Sequence, residues 1–337
     1  MMNKTVYKLM ALVMVFILLM CVSGCGVQDE EVLTPVDSYP ERDITIILPL
    51  GAGGTSDLTS RDLAVHWSKK LGVELLVKNV PGSGGQLGMM EFYTSTDAEE
   101  GYAIQMITLE TAIGTMLMGA EYTLDDFAFI NRFSYDVNGI VVAANSPYQT
   151  LDDLIKAVKE KPGMLAYGIQ PSTSSALFAK IFLDTLGLDI LSVDYGSGGE
   201  IRLATVAGET DMHFGLISGD VAYGPDLRIL AVAADAPVSF GPDIPLINDL
   251  LEPYGVTVPT TIGANRFWIT RKEFKENYPE RFNLLVETHK ATLEDEEYKQ
   301  ALKDTGFEPF VTYIGPEESE KLAREVYDTI MEFKEWY

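Results

Sequence analysis

The sequence predicts an α/β protein of two similar units, each a mainly parallel sheet flanked by helices. Three observations carry this. Strand, glycine-rich loop and helix alternate from about residue 39, the same succession returns after about residue 165, and 337 residues exceed what one hydrophobic core usually serves. With 47% hydrophobic and 10% aromatic residues the chain has enough apolar surface to bury a core.

The first element is a signal. Lys4 and Lys8 precede twelve apolar residues, Leu9 to Met20, and small residues follow at Val22-Ser23-Gly24-Cys25. That is a secretory pattern, and the apolar run is short for a permanent membrane span. Its end resembles a bacterial lipobox, which makes residues 1–24 the signal and Cys25 the lipidated first residue of the mature protein. A non-lipidated signal and an uncleaved anchor are the other readings, and under each of them the domain is exported. Residues 25–38 read as a polar tether with Asp29, Glu30, Glu31 and Pro35 and no apolar period.

The body begins near Tyr39. Ile44 to Leu50 reads as a buried strand, Gly51-Ala52-Gly53-Gly54-Thr55-Ser56-Asp57 as a loop, and Leu63, Ala64, Trp67 and Leu71 as one face of a helix that Gly72 ends. Val73 to Val80 is a second strand, and Pro81-Gly82-Ser83-Gly84-Gly85 follows it. In the second half Leu165 to Gly168 leads to Ser172-Thr173-Ser174-Ser175 and a helix stopped by Gly187. Ile190 to Tyr195 then leads to Gly196-Ser197-Gly198-Gly199-Glu200 and a helix stopped by Gly208. Gly139 to Ala144 and Ile229 to Ala234 read as strands near a hinge. From Lys272 onward, stripes such as Phe282, Leu285 and Val286, then Leu322, Val326 and Ile330, predict helices layered on the first unit.

A helix start exposes unpaired N–H groups and about half a positive charge, so a Gly/Ser/Thr loop there suits an oxyanion. One such loop taken alone is explained equally well by capping and tight turning. Four of them at strand ends, two per unit, point to a cleft for a small carboxylated solute, held without lysine or arginine.

Several function classes are disfavoured. The net charge is −25, from 25 basic and 50 acidic residues. Losing residues 1–24 removes Lys4 and Lys8 and no acid, leaving −27. Such a chain would repel phosphate backbones and anionic lipid, so no nucleic-acid partner is expected, and the membrane is reached through the lipid anchor only. Both cysteines, Cys21 and Cys25, lie in the first 25 residues, which leaves no thiol chemistry for the body. Ser56 and Lys78-Asn79 break the dinucleotide fingerprint, no phosphate-binding loop occurs, and His66, His213 and His289 lack metal-ligand spacing. No cofactor, metal or catalytic group is expected.

Tyr39-Pro40, the Gly53 to Asp57 loop, Val77 to Gly85, Leu87-Gly88 and Gly101-Tyr102 together resemble the tripartite tricarboxylate transporter substrate-binding proteins, the Bug family. Tyr167-Gly168, Ser172 to Ser175, Tyr195 to Glu200 and Gly208 to Asp211 extend the resemblance over about residues 39–335. It implies a periplasmic-binding-protein-like fold of type II, with lobe 1 formed by 39–138 plus 262–337 and lobe 2 by 139–261. It also implies a monomer that binds a small organic acid, a di- or tricarboxylate, and passes it to integral-membrane permease subunits.

Residue by residue, the resemblance puts Gly53, Gly54, Thr55 and Ser56 on one end of the ligand, with Asp57 capping the helix, fixing the loop or touching the ligand. Pro81, Gly82, Ser83 and Gly84 would form the neighbouring wall. Ser172, Thr173, Ser174 and Ser175 would meet the solute from the second lobe, with Gly198, Gly199 and Glu200 beside them. Two departures leave the solute open: Ala176 stands where many relatives carry histidine, and Ile169-Gln170-Pro171 replaces a small-residue stretch. Glu200 would repel an anion unless it pairs with Arg202 or another arginine, so an amino acid or neutral amide stays open, as does a role in signalling to a membrane sensor kinase.

Overall fold

The computed structural model describes residues 38–53, 55–171, 173–239 and 243–336. The expected signal, Cys25 and nearly all of the tether lie outside the described residues, as do Gly54 and Ser172. Among the described residues no helix is long and apolar enough to cross a membrane.

The first unit opens with β1 (Ile44–Leu48), α1 (Thr55–Leu71), β2 (Leu75–Asn79), α2 (Gln86–Tyr93), α3 (Thr96–Glu99), β3 (Ala103–Thr108), α4 (Leu109–Leu117) and β4 (Phe127–Asp136). Strand β5 (Asn138–Ala143) then starts the second sheet, followed by α5 (Leu151–Glu160), β6 (Ala166–Ile169), α6 (Ser174–Leu186), β7 (Leu191–Asp194) and α7 (Gly198–Ala207). β8 (Met212–Leu216), α8 (Ile217–Tyr223), β9 (Leu227–Val232) and α9 (Ile247–Leu251) complete that half. The chain returns to the first sheet with β10 (Ala264–Arg271), α10 (Lys272–Asn277), α11 (Pro279–Glu294), α12 (Glu296–Asp304), β11 (Val311–Ile314) and α13 (Pro316–Met331).

The sheets have the orders β11-β4-β10-β3-β1-β2 and β7-β6-β8-β5-β9. In the first, β1 to β4 point one way and β10 and β11 the other; in the second, only β5 runs against its neighbours. The opposed strands β5 and β10 are those that carry the chain from one sheet to the other and back. Asn138 ties the two passages together: its side-chain amide donates to the Ile262 carbonyl at 2.8 Å, and its own carbonyl accepts from Ala233 N–H at 2.8 Å.

Local chemistry explains where the helices stop. Gly72, Gly187 and Gly208 all sit at positive φ, where the last turn of α1, α6 and α7 can close. Tyr39 and Gly101, distant in sequence, meet through the tyrosine hydroxyl, which donates to the Gly101 carbonyl at 2.6 Å, and the Tyr39 and Tyr102 rings pack edge to face at 5.3 Å.

The C-terminal helices cover one face of the first sheet, where Trp67, Trp268, Phe282, Leu285 and Tyr298 form a core. His289 lies inside it, 4.7 Å from the Trp67 ring, with neither ring nitrogen partnered among the described residues. Burial pulls its pKa from 6.5 down to about 3. The folded protein therefore keeps His289 neutral while the unfolded chain takes up a proton, so stability is full above pH 6.5 and is lost as pH falls towards about 3. That window is worth about 5 kcal/mol. His289→Phe is expected to remove this acid sensitivity, read as a smaller drop in urea midpoint between pH 7.5 and pH 4 than the wild type shows; equal drops would refute it.

Candidate functional site

A cavity of about 700 Å³ opens where the strand ends of the two sheets meet, within the usual range of about 300–1,000 Å³ for ligand sites. The sequence builds it from strand-to-helix junctions. β1 delivers Gly51 to Gly53 with Ser56 and Asp57, β3 delivers Thr108, and β6 delivers Gln170 and Thr173 to Ser175. β7 delivers Gly196 to Gly199, and β8 delivers Gly215 and Leu216 with Ser218 and Gly219. Strand β10 runs the other way, so its beginning, Ala264 to Arg266, lies at the same edge, with Arg266 in register with Thr108.

The first loop is braced from beneath. Asp57 is buried and accepts from Gly53 N–H at 2.8 Å, Arg61 Nε at 3.0 Å and Asn79 Nδ2 at 2.9 Å. Burial acts to raise its pKa, but the bonds from Arg61, Gly53 and Asn79 outweigh that and hold it below the ordinary carboxylate range. Asn79 also donates to the Leu50 carbonyl at 3.1 Å. Asp57 thus spends its charge on fixing residues 50–53. Thr55 is the first residue of α1, and the described Ser56 side chain reaches the cavity and accepts from Arg266 Nε at 3.3 Å.

Thr173, Ser174 and Ser175 of the second half all line the cavity, and two of them also support the fold. Thr173 caps α6, donating to the Gln170 carbonyl at 2.7 Å and accepting from Ala176 N–H at 3.3 Å. Ser175 donates to Asn138 Oδ1 at 2.6 Å, which fixes it to the passage between the sheets. Ser174 and the backbone of Gly198 and Gly199 line the cavity.

Two groups of expected residues do not. Pro81, Gly82 and Ser83 are absent from the cavity wall, and Gly84 lines instead a small apolar recess of about 10 Å³ beside Pro49 and Thr111. The reason is packing: a Cβ on Gly88, inside α2, would lie 2.6 Å from Pro49 Cα, so this glycine lets α2, which the second glycine loop leads into, press against the end of β1. Glu200 is the other. Its carboxylate turns back to accept from Gly196 N–H at 2.9 Å while its own N–H donates to Ser197 Oγ at 3.3 Å, a capping arrangement for α7. Arg202 pairs with Asp220, at 2.7 Å, and not with Glu200.

The cavity also has cations that loop composition did not disclose. Arg202 and Arg266 both line it. Arg266 is buried, and its Nη1 has no hydrogen-bond partner among the described residues. Burial lowers its pKa, an effect opposed by the charges of Asp136 and Glu110. Asp136, buried in turn, has its pKa raised by burial, against the pull of Arg266 and of Ser218, whose N–H donates to it at 3.2 Å and whose hydroxyl also bonds it. Outside the cavity lining, His66, Asp295 and Glu297 place ligand atoms within 4.8 Å of one another, but Lys70 holds Asp295 and Lys69 holds Glu297.

Comparison with known proteins bears on this geometry. BugT of Bordetella pertussis is 27% identical over 258 residues, which cover 72% of this chain and 76% of that protein. Across the curated relatives the match spans from 53% to 85% of the relative's own length. Two solved structures share the fold: MatC from Rhodopseudomonas palustris with bound malate, at 18% identity and TM-score 0.70 over 88% of this chain and 99% of that one, and R. palustris Rpa4515 with adipate, at 19%, 0.72, 88% and 97%. The model of the tripartite tricarboxylate transporter family receptor matches residues 59–331, most of the chain, and the protein belongs to that family.

Proposed function

We propose that the protein is an exported, lipid-anchored solute-binding protein that captures a di- or tricarboxylate between two lobes, 39–138 plus 262–337 and 139–261, and hands it to integral-membrane permease subunits. It carries out no reaction. The observation that carries the ligand class is Arg266, a buried guanidinium at the cavity wall with an unpartnered Nη1. A buried unpaired donor costs about 1–3 kcal/mol, and a carboxylate relieves that cost with a charge-assisted bond. Helix starts at α1, α4, α6 and α7 add N–H groups of the same preference. Glu200, the obstacle to an anion, is occupied with its cap. Malate bound to MatC and adipate bound to Rpa4515 support the class by family likeness. Closure of the lobes follows from contacts that the liganded state gains on both sides.

The test is a thermal-shift and calorimetric screen of the full chain in detergent against dicarboxylates, tricarboxylates, amino acids and amides. Stabilisation by di- or tricarboxylates is expected, and stabilisation by neutral amides alone would overturn the anionic reading. Anchoring is checked separately: Cys25→Ala is expected to move the protein from the membrane to the soluble extracytoplasmic fraction, and continued membrane association would refute lipidation at that residue.

A further inference from the structure

Arg202 belongs to α7 and reaches the cavity from the side of the second sheet, whereas Arg266 reaches it from β10 of the first. Its position is fixed by a buried relay. Arg202 Nε donates to Asp220 Oδ1 at 2.7 Å and Nη2 to the Leu216 carbonyl at 3.4 Å. Asp220 Oδ1 also meets His213 Nε2 at 3.1 Å, and His213 Nδ1 meets Thr205 Oγ1 at 2.9 Å. Asp220, His213 and Thr205 are all buried, so three elements agree on where the guanidinium lies. That relay leaves Nη1 without a partner among the described residues, on a side chain that is 17% exposed.

Glycines make room for it. A Cβ on Gly219 would stand 1.8 Å from Nη2 and 2.3 Å from Cζ, and one on Gly198 3.1 Å from Nη1. The guanidinium therefore lies across two glycine backbones, close to the first turn of α7, with one edge on Asp220 and the other towards the cavity. A planar fork held along one edge is suited to take a carboxylate on the next. Arg266, the second guanidinium that lines the cavity, offers the same chemistry from the first sheet.

We infer that Arg202 is a specificity-determining residue which, together with Arg266, makes the cleft selective for dicarboxylates, with one carboxylate at each guanidinium. This rests on the carboxylate reading above. A half-ester of the same length keeps one charged end and replaces the other by a group that cannot satisfy Arg202. Discrimination then resides in the Arg202 end.

Calorimetry of the full chain in detergent with succinate and adipate, and with their monomethyl esters, tests the inference. Wild-type protein is expected to prefer diacid over half-ester by about 100-fold. Arg202→Gln should lose about 100-fold for the diacids and change by less than about 3-fold for the half-esters, which collapses the selectivity. Gly219→Ala keeps the arginine but pushes the guanidinium aside, and should lower selectivity together with the melting temperature, because it loosens the buried pair with Asp220. Equal losses for diacid and half-ester in Arg202→Gln, or unchanged selectivity in both variants, would overturn the inference and leave carboxylate capture standing. Wild-type protein that binds neither ligand would overturn both.

Discussion

Arg266→Met is expected to weaken dicarboxylate binding by at least about 100-fold and, taken alone, to cost about 3–5 kcal/mol of stability. The two losses have different origins. Binding falls because the cavity loses a buried cation whose Nη1 has no partner among the described residues. Stability falls because Asp136, wholly buried, keeps only the Ser218 N–H and hydroxyl after losing the charge that opposes its burial. A buried carboxylate without its cation must take a proton or pull in water. The double variant Arg266→Met, Asp136→Asn separates these effects. It removes the stranded charge, so its urea midpoint should return most of the way to the wild-type value while carboxylate affinity stays lost. A double variant that binds dicarboxylate as tightly as the wild type would show that Arg266 serves the fold alone.

Arg266 also marks the limit of what the amino-acid sequence discloses. The first loop and the serine run were legible because glycine and serine after an apolar strand have few uses other than turning the chain and starting a helix. Helix ends at Gly72, Gly187 and Gly208 were legible for the same local reason. The second glycine loop had equal composition and a different task, since a close approach of Gly88 to Pro49 is a matter of tertiary packing. Arg266 stands 210 residues from its partner Ser56, in the buried strand Ala-Asn-Arg-Phe-Trp-Ile-Thr-Arg. A charged residue amid such a run is the one available signal, because an arginine is seldom buried without a partner. Arg202 was visible in the sequence as a counter-charge for Glu200; what the sequence could not show is that Asp220, eighteen residues later, claims it.

Glu110 connects the ionisation of the site to pH. It follows Thr108 by two residues at the start of α4, is buried, and accepts from Asn265 N–H at 3.1 Å and Nδ2 at 2.6 Å. Burial raises its pKa from 4.5 to about 7, against the opposite pull of the Asn265 and Gly263 bonds. The charged and titratable groups around it are Arg266 on β10 and Arg132 and Tyr135 on β4, all of which respond to its charge. For an acid with a raised pKa the folded state holds more protons than the unfolded chain between pH 4.5 and about 7. Stability therefore falls as pH rises through that window, by about 3 kcal/mol at this site. Glu110→Gln keeps a carbonyl for Asn265 and is expected to flatten this part of the stability profile in urea titrations at pH 5, 6, 7 and 8. The same proton should be linked to ligand capture. Ionised Glu110 offsets the charge of Arg266, so a carboxylate at Arg266 favours the protonated form, and each must strengthen the other equally. Wild-type affinity for a dicarboxylate should then decline as pH rises past about 7, with proton uptake detected by calorimetry in buffers of different ionisation heat. Glu110→Gln should bind with neither the decline nor the uptake; a variant that retained both would place the titrating group elsewhere, with Asp136 next in line because burial raises its pKa in the same direction.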